Sequence, residues 1–203
     1  MIDRGAALRI THLMLALLAC QSLVGIPGLL AQARPVPGGR VSSGTLSFDG
    51  HASVGDFVGT TKAVTGEITG GADISAVRGW VEAPVRTLTT GNGKRDKDLN
   101  KSMESSRYPT IRFELSGITP SGGTADSIAA TLHGALLIHG VTRNVNLPGS
   151  VRFQGPQARV RSDFPLSLKD YRIGGLSKLL GVLKMYDDIT VHVDLLFDFN
   201  RPN

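Results

Sequence analysis

The C-terminal part of the chain alternates apolar and polar residues with period two. Ile189, Val191, Val193, Leu195, Phe197 and Phe199 are interleaved with Thr190, His192, Asp194, Leu196 and Asp198, the signature of a long strand with one buried face. The alternation recurs where Ile111, Phe113 and Leu115 oppose Arg112, Glu114 and Ser116, and where Phe164, Leu166 and Leu168 oppose Asp163, Ser167 and Lys169. Ile128, Ala130, Leu132, Leu136 and Ile138 predict a longer strand with Gly134 inside it. Val145, Leu147, Val151 and Phe153 predict another, bent at Pro148-Gly149. Val77, Val81 and Val85 predict one more, with Trp80 on its opposite face. Turn residues punctuate these runs at Gly70-Gly71, Ser121-Gly122-Gly123, His139-Gly140 and Gly155-Pro156. Two segments read as helices. One is 94–103, where Leu99 and Met103 stand four apart. The other is 176–185, where Leu176, Leu179, Leu180 and Leu183 fall at i, i+3, i+4 and i+7 and make one apolar face.

Several strands with regular punctuation make an all-β domain, either a two-sheet sandwich or an antiparallel β-barrel. Eleven residues at about 3.3 Å each reach roughly 35 Å, so the last strand has a long inner face to cover. A barrel of about eight strands fills its interior with side chains or holds one ligand. The inner faces are rich in Val, Ala, Gly and Leu and poorer in aromatics, which leaves room inside. The seven phenylalanines (Phe48, Phe57, Phe113, Phe153, Phe164, Phe197 and Phe199) fit a lined channel or a filled core equally well.

The N-terminus is a separate matter. Arg4 and Arg9 precede an apolar run from Leu13 to Leu30, broken at Pro27-Gly28 and followed by Ala31-Gln32-Ala33. This is the pattern of a secretory signal peptide over residues 1–33, cut after Ala33. A lipoprotein leader lipidated at Cys20, within Leu17-Leu18-Ala19-Cys20, and an uncleaved anchor are the alternatives. The expected location is therefore periplasmic or extracellular. Residues 34–44 read as a flexible lead-in, and 45–199 as the barrel domain.

Charge and chemistry narrow the function by elimination. Removing 1–33 takes away two of the 22 Lys+Arg and one of the 17 Asp+Glu, leaving a scattered net charge of +4, with no basic stripe for nucleic acid. Cys20 is the only cysteine, so the domain has no disulfide framework and no thiolate site. His133 and His139, six apart on one strand, are about 20 Å apart and cannot share a metal ion. His51 and Ser53 show no triad logic, and no G-x-S-x-G, H-E-x-x-H or Walker motif is present. No metal, no cofactor and no catalytic residue is expected.

Four segments in order resemble one family. Asp49-Gly50-His51-Ala52-Ser53-Val54 is similar to a D-x-x-H-S-x-V start. Gly91-Asn92-Gly93-Lys94-Arg95-Asp96-Lys97-Asp98-Leu99 resembles T-G-n-x-x-R-D-x-x-L. Arg107-Tyr108-Pro109-Thr110-Ile111-Arg112-Phe113 resembles k-Y-P-t-i-x-F. Leu132 to Thr142 resembles G-x-L-t-l-h-G-V-T. These are elements of the YceI-like family of bacterial periplasmic proteins. The resemblance spans about residues 45–199 and implies a lipocalin-like antiparallel barrel of about eight strands with one or two short helices. It also implies a polyisoprenoid chain, or an isoprenoid quinone, in an internal channel, held without catalysis. The sequence departs from the family at Asp56-Phe57-Val58-Gly59-Thr60 and at 173–185.

With a lipid inside, the apolar faces make Phe113, Leu115, Leu132, Leu136, Phe153, Phe164, Leu166, Val193, Leu195 and Phe197 the expected ligand contacts. Leu176 and Leu180 join them if 176–185 is a lid touching the membrane surface through Lys178 and Lys184; the other reading of this segment is a plug on the barrel end. Lys94 and Arg95 are the head-group candidates, although Arg95 also reads as a loop anchor and Asp96 as a first-turn carboxylate favoured by the helix dipole. An enzyme acting on a lipid-like substrate and a barrel with a filled core stand as alternatives. Monomer and dimer are both open.

Overall fold

The computed structural model describes residues 35–53, 55–174 and 185–200. Nine strands follow in order: β1 (Gly39–Gly50), β2 (Phe57–Thr61), β3 (Thr65–Thr69), β4 (Arg78–Pro84), β5 (Thr110–Thr124), β6 (Ser127–Ile138), β7 (Val141–Gln154), β8 (Gln157–Ser167) and β9 (Asp188–Asp198). One helix, α1 (Gly93–Ser102), sits between β4 and β5. All pairings are antiparallel, and β1 pairs with β9 to close the sheet on itself. β2 and β3 share one edge of β1 in a single register. Leu46 faces Thr61 and Gly39, seven residues back, faces Ile68, seven residues on. They are one strand interrupted at 62–64, and the result is a closed eight-stranded barrel.

Turn chemistry sets the hairpins. His139 and Gly140 both have positive φ (51° and 72°) between the paired residues Ile138 and Val141, as a two-residue hairpin requires. Gly155 (φ 58°) with Pro156 joins β7 to β8. Two expectations shift. The chain is already in β1 at Gly39, and Val36 ahead of it is buried and bridged to Gly71, so the expected lead-in is already part of the fold; Ser and Gly hide the alternation there, and pairing with β3 and β9 makes the strand. Ser121-Gly122-Gly123 lies inside β5 as an irregularity between Pro120 and Gly122, and the turn falls at 125–126.

The helix expected at 94–103 is α1, one residue earlier. Asn92 caps it, its side chain accepting from the Lys94 and Arg95 amides at 3.1 Å each. Leu99 and Met103 are buried. The second expected helix lies outside the described residues except for Met185, which makes an isolated bridge with Ala52.

The inward residues form two clusters. One, nearer α1, includes Val85, Leu99, Leu136, Phe164 and Ile189. The other, at the far end, includes Ile74, Val77, Ile128, Leu132 and Val151. Among the described residues only Val85 is a large side chain below 2% exposure. Leu195 and Phe197 keep 3%, Leu132 7% and Leu166 8%. These side chains are buried, and they also border the internal space.

Candidate functional site: an apolar channel through the barrel

Alternation sends every second side chain of each strand into the barrel, and these side chains surround one cavity of about 560 Å³, within the range of small-molecule sites. All seven phenylalanines line it. Glycines determine how the rings lie. Gly59 faces Phe48 across β1–β2 and Gly50 faces Phe57, while Gly134 stands diagonal to Phe113 across β5–β6. A Cβ at any of the three would collide with the ring beside it. The ring edges therefore occupy the space that a side chain at these positions would take.

The expected contacts fall on this wall. Phe113 and Leu115 come from β5, Leu132 and Leu136 from β6, Phe153 from β7, Phe164 and Leu166 from β8, and Val193, Leu195 and Phe197 from β9. Leu176 and Leu180 lie outside the described residues. Phe48 of β1, Phe57 of β2 and Val81 of β4 line the cavity too, and Leu46 and Ile68, which the sequence pattern did not single out, join them from β1 and β3. Trp80 is on the outer face as expected, under the Arg112 guanidinium at 4.4 Å.

One end is polar. Asn92, Lys94, Arg95, Asp98 and Ser102 of the α1 region line the cavity beside Phe57. Arg95 is held in place. Its Nε donates to Thr90 Oγ1 at 2.9 Å, its Nη2 donates to the Thr90 carbonyl at 3.1 Å, and its guanidinium lies 4.4 Å from the Phe57 ring centre. Asp96 anchors the same loop, accepting from the Thr90 hydroxyl (2.6 Å), the Thr90 amide (2.7 Å) and the Thr89 hydroxyl (2.9 Å). The Thr90 hydroxyl above all, then its amide, holds the Asp96 carboxyl below the usual carboxylate range. Arg95 thus anchors the loop and borders the cavity. Lys94 is exposed at the rim.

The histidines serve the wall. His133 bridges Thr119 and Asn146 at 2.7 Å each across three strands. His139 is buried, with Nδ1 3.2 Å from the Tyr171 carbonyl oxygen and Nε2 3.3 Å from Glu104 Oε1 without hydrogen-bond alignment. His51 pairs with exposed Asp56. Among the described residues no three His, Cys, Asp or Glu side chains converge as a metal site.

The fold is that of several solved proteins. Burkholderia cenocepacia BcnA is 17% identical with a TM-score of 0.65, covering 75% of this chain and 95% of its own. A polyisoprenoid binding domain from Saccharophagus degradans, implicated in plant cell wall breakdown, is 13% identical with a TM-score of 0.65, covering 79% and 97%. The Campylobacter jejuni YCEI protein is 16% identical with a TM-score of 0.55, covering 68% and 82%. No match is found among curated proteins. The YceI-like domain matches residues 41–197, nearly the whole barrel, and the chain belongs to that family.

Proposed function

We propose that this protein binds a long apolar lipid of the polyisoprenoid or isoprenoid-quinone kind in its barrel and carries it without chemical change, in the cell envelope. The observation that supports this most is the cavity itself, lined mostly by apolar side chains and bordered by phenylalanine rings set against glycines of neighbouring strands. Affinity would come from burial, roughly 2 kcal/mol gross per isoprene unit at about 25 cal/mol per Å², less ordering costs. The Saccharophagus degradans relative, described as polyisoprenoid binding, supports the ligand class. The polar rim at α1 would take the ligand's head group, with Lys94 and Arg95 as its cationic contacts. Export would follow from the leader pattern of residues 1–33.

Titration with farnesol, geranylgeraniol and solanesol tests the reading. Affinity should rise with chain length until the cavity is full. Absence of binding, or affinity independent of length, would reject it.

A further inference from the structure

The barrel wall is incomplete between β7 and β8, and the sequence specifies the gap. β7 pairs with β6 along its length from Val141 to Arg152, and β8 pairs with β9 from Gln157 to Ser167. The β7–β8 ladder stops at Ser150↔Arg161. It starts at the two-residue turn, so Gln154 and Gln157 form the closing hydrogen-bonded pair, and every second residue beyond them turns its backbone toward the other strand. Continued past Ser150↔Arg161, that register sets Pro148 opposite Asp163 and Asn146 opposite Pro165. Each of these rungs needs an N–H that proline lacks. The Pro148 carbonyl does point across the split, but it accepts from the Ser162 hydroxyl at 2.6 Å instead.

Toward α1 the strands are rejoined by a side chain. Arg143 Nε donates to the Asp170 carbonyl at 2.7 Å, with Nη2 3.3 Å from Asp170 Oδ1. The opening between these two ties is about five residues long, roughly 16 Å. A cleft of about 360 Å³ fills it. Asn144, Pro165 and Ser167 line its outer side. Leu136, Leu147, Phe164 and Leu166 line both the cleft and the main cavity.

We propose that this split is a second, lateral opening of the cavity, through which a linear apolar chain slides in sideways. The proposal rests on the reading of the cavity as a site for such a chain. A peptide strand fits the opening poorly, because inserting one needs two ladder spacings of about 4.8 Å each where Pro148 and Ser162 bond directly. A hydrocarbon chain needs no pairing with the open edges. Lateral passage also leaves the Arg95–Phe57–Thr90 contacts at the α1 rim undisturbed.

The test is stopped-flow uptake of retinol, an isoprenoid alcohol with its own fluorescence, from phosphatidylcholine vesicles. Pro148→Val with Pro165→Val restores both missing donors, and slowed exchange of the Asn146 and Asp163 amides reports closure. Closure should lower the association rate on the order of tenfold while affinity moves less than about threefold, since both rates fall together. Where the ladder stays open, Pro165→Cys in a Cys20→Ser background, carrying a bulky maleimide on the outer lip, decides instead. The same label at Arg152→Cys, on the outer wall past the end of the split, is the control. Uptake at the parent rate with the ladder closed, or with the lip labelled, overturns the lateral opening and leaves the cavity reading standing. No retinol binding by the parent at equilibrium overturns both.

Discussion

On β9 the inward side chains of Ile189, Val191, Leu195 and Phe197 meet only the apolar cavity wall, while one residue away the outward side chains are tied to neighbouring strands. His192 joins three strands, its Nδ1 2.6 Å from Asp163 on β8 and its Nε2 3.1 Å from Asp49 on β1. Asp194 accepts both ends of the Arg159 fork at 2.7 and 2.6 Å and Arg161 Nε at 3.0 Å. Arg112 does likewise between Glu82 and Glu114. The buried inner face sets which side of each strand turns inward. Cross-strand pairs on the outer face add specific ties between neighbouring strands. The two faces of one sheet thus do different work, with polar ties outside and apolar surface inside.

The largest effect that separates the faces is a charge on the inside. Val193→Asp should cost about 3–5 kcal/mol, as an unpaired carboxylate on an apolar wall, and should abolish retinol binding. Arg152→Asp on the outer wall should cost less than about 0.5 kcal/mol. Urea unfolding reads both. Truncating the wall sharpens the contrast further. Leu136→Ala should cost about 2 kcal/mol, the low end for such a change, because the removed atoms already faced space. The cost should grow when retinol is present, which thermal unfolding with and without it measures.

Smaller effects come from the anchors. Asp96→Ala should cost about 1 kcal/mol after allowing for solvent screening, lowering the melting temperature. The Asp96 contribution is fully present above the unfolded carboxylate value near 3.9 and is lost as pH falls through the depressed folded value. His192 has the opposite sign. Hydrogen bonds to Asp163, then to Asp49, raise its folded value. Its contribution is therefore full below the unfolded value of about 6.5 and is lost as pH rises through the folded one. His192→Gln should flatten the decline in melting temperature on the alkaline side of neutrality. An unchanged pH profile would count against the outer-face clamp.

The strands with strict alternation were legible from sequence. β9, β8 near Phe164 and the start of β5 are apolar on one side and charged on the other, so period two shows directly. β4 was legible through Val77, Val81 and Val85 with Trp80 opposite, whereas β1 to β3 were not, because Gly, Ser and Thr occupy both faces and the strands exist through pairing. The turn at 125–126 contains neither Gly nor Pro, whereas Gly122-Gly123 imitates a turn inside a strand. Ten expected ligand contacts were readable as inward positions. Room inside was legible in part from the small inward residues, but the placing of Phe48, Phe57 and Phe113 against glycines of neighbouring strands was not, because sequence order does not reveal it. The split at β7–β8 sits between the two: Pro148 and Pro165 are visible, but their opposition across one ladder requires the register.

Native mass spectrometry of the protein purified from a host that makes isoprenoid lipids tests the central claim most directly. The account expects a species heavier than the polypeptide by the mass of one long-chain lipid, released on denaturation. The bare polypeptide alone, unshifted after incubation with isoprenoid-containing vesicles, would contradict it.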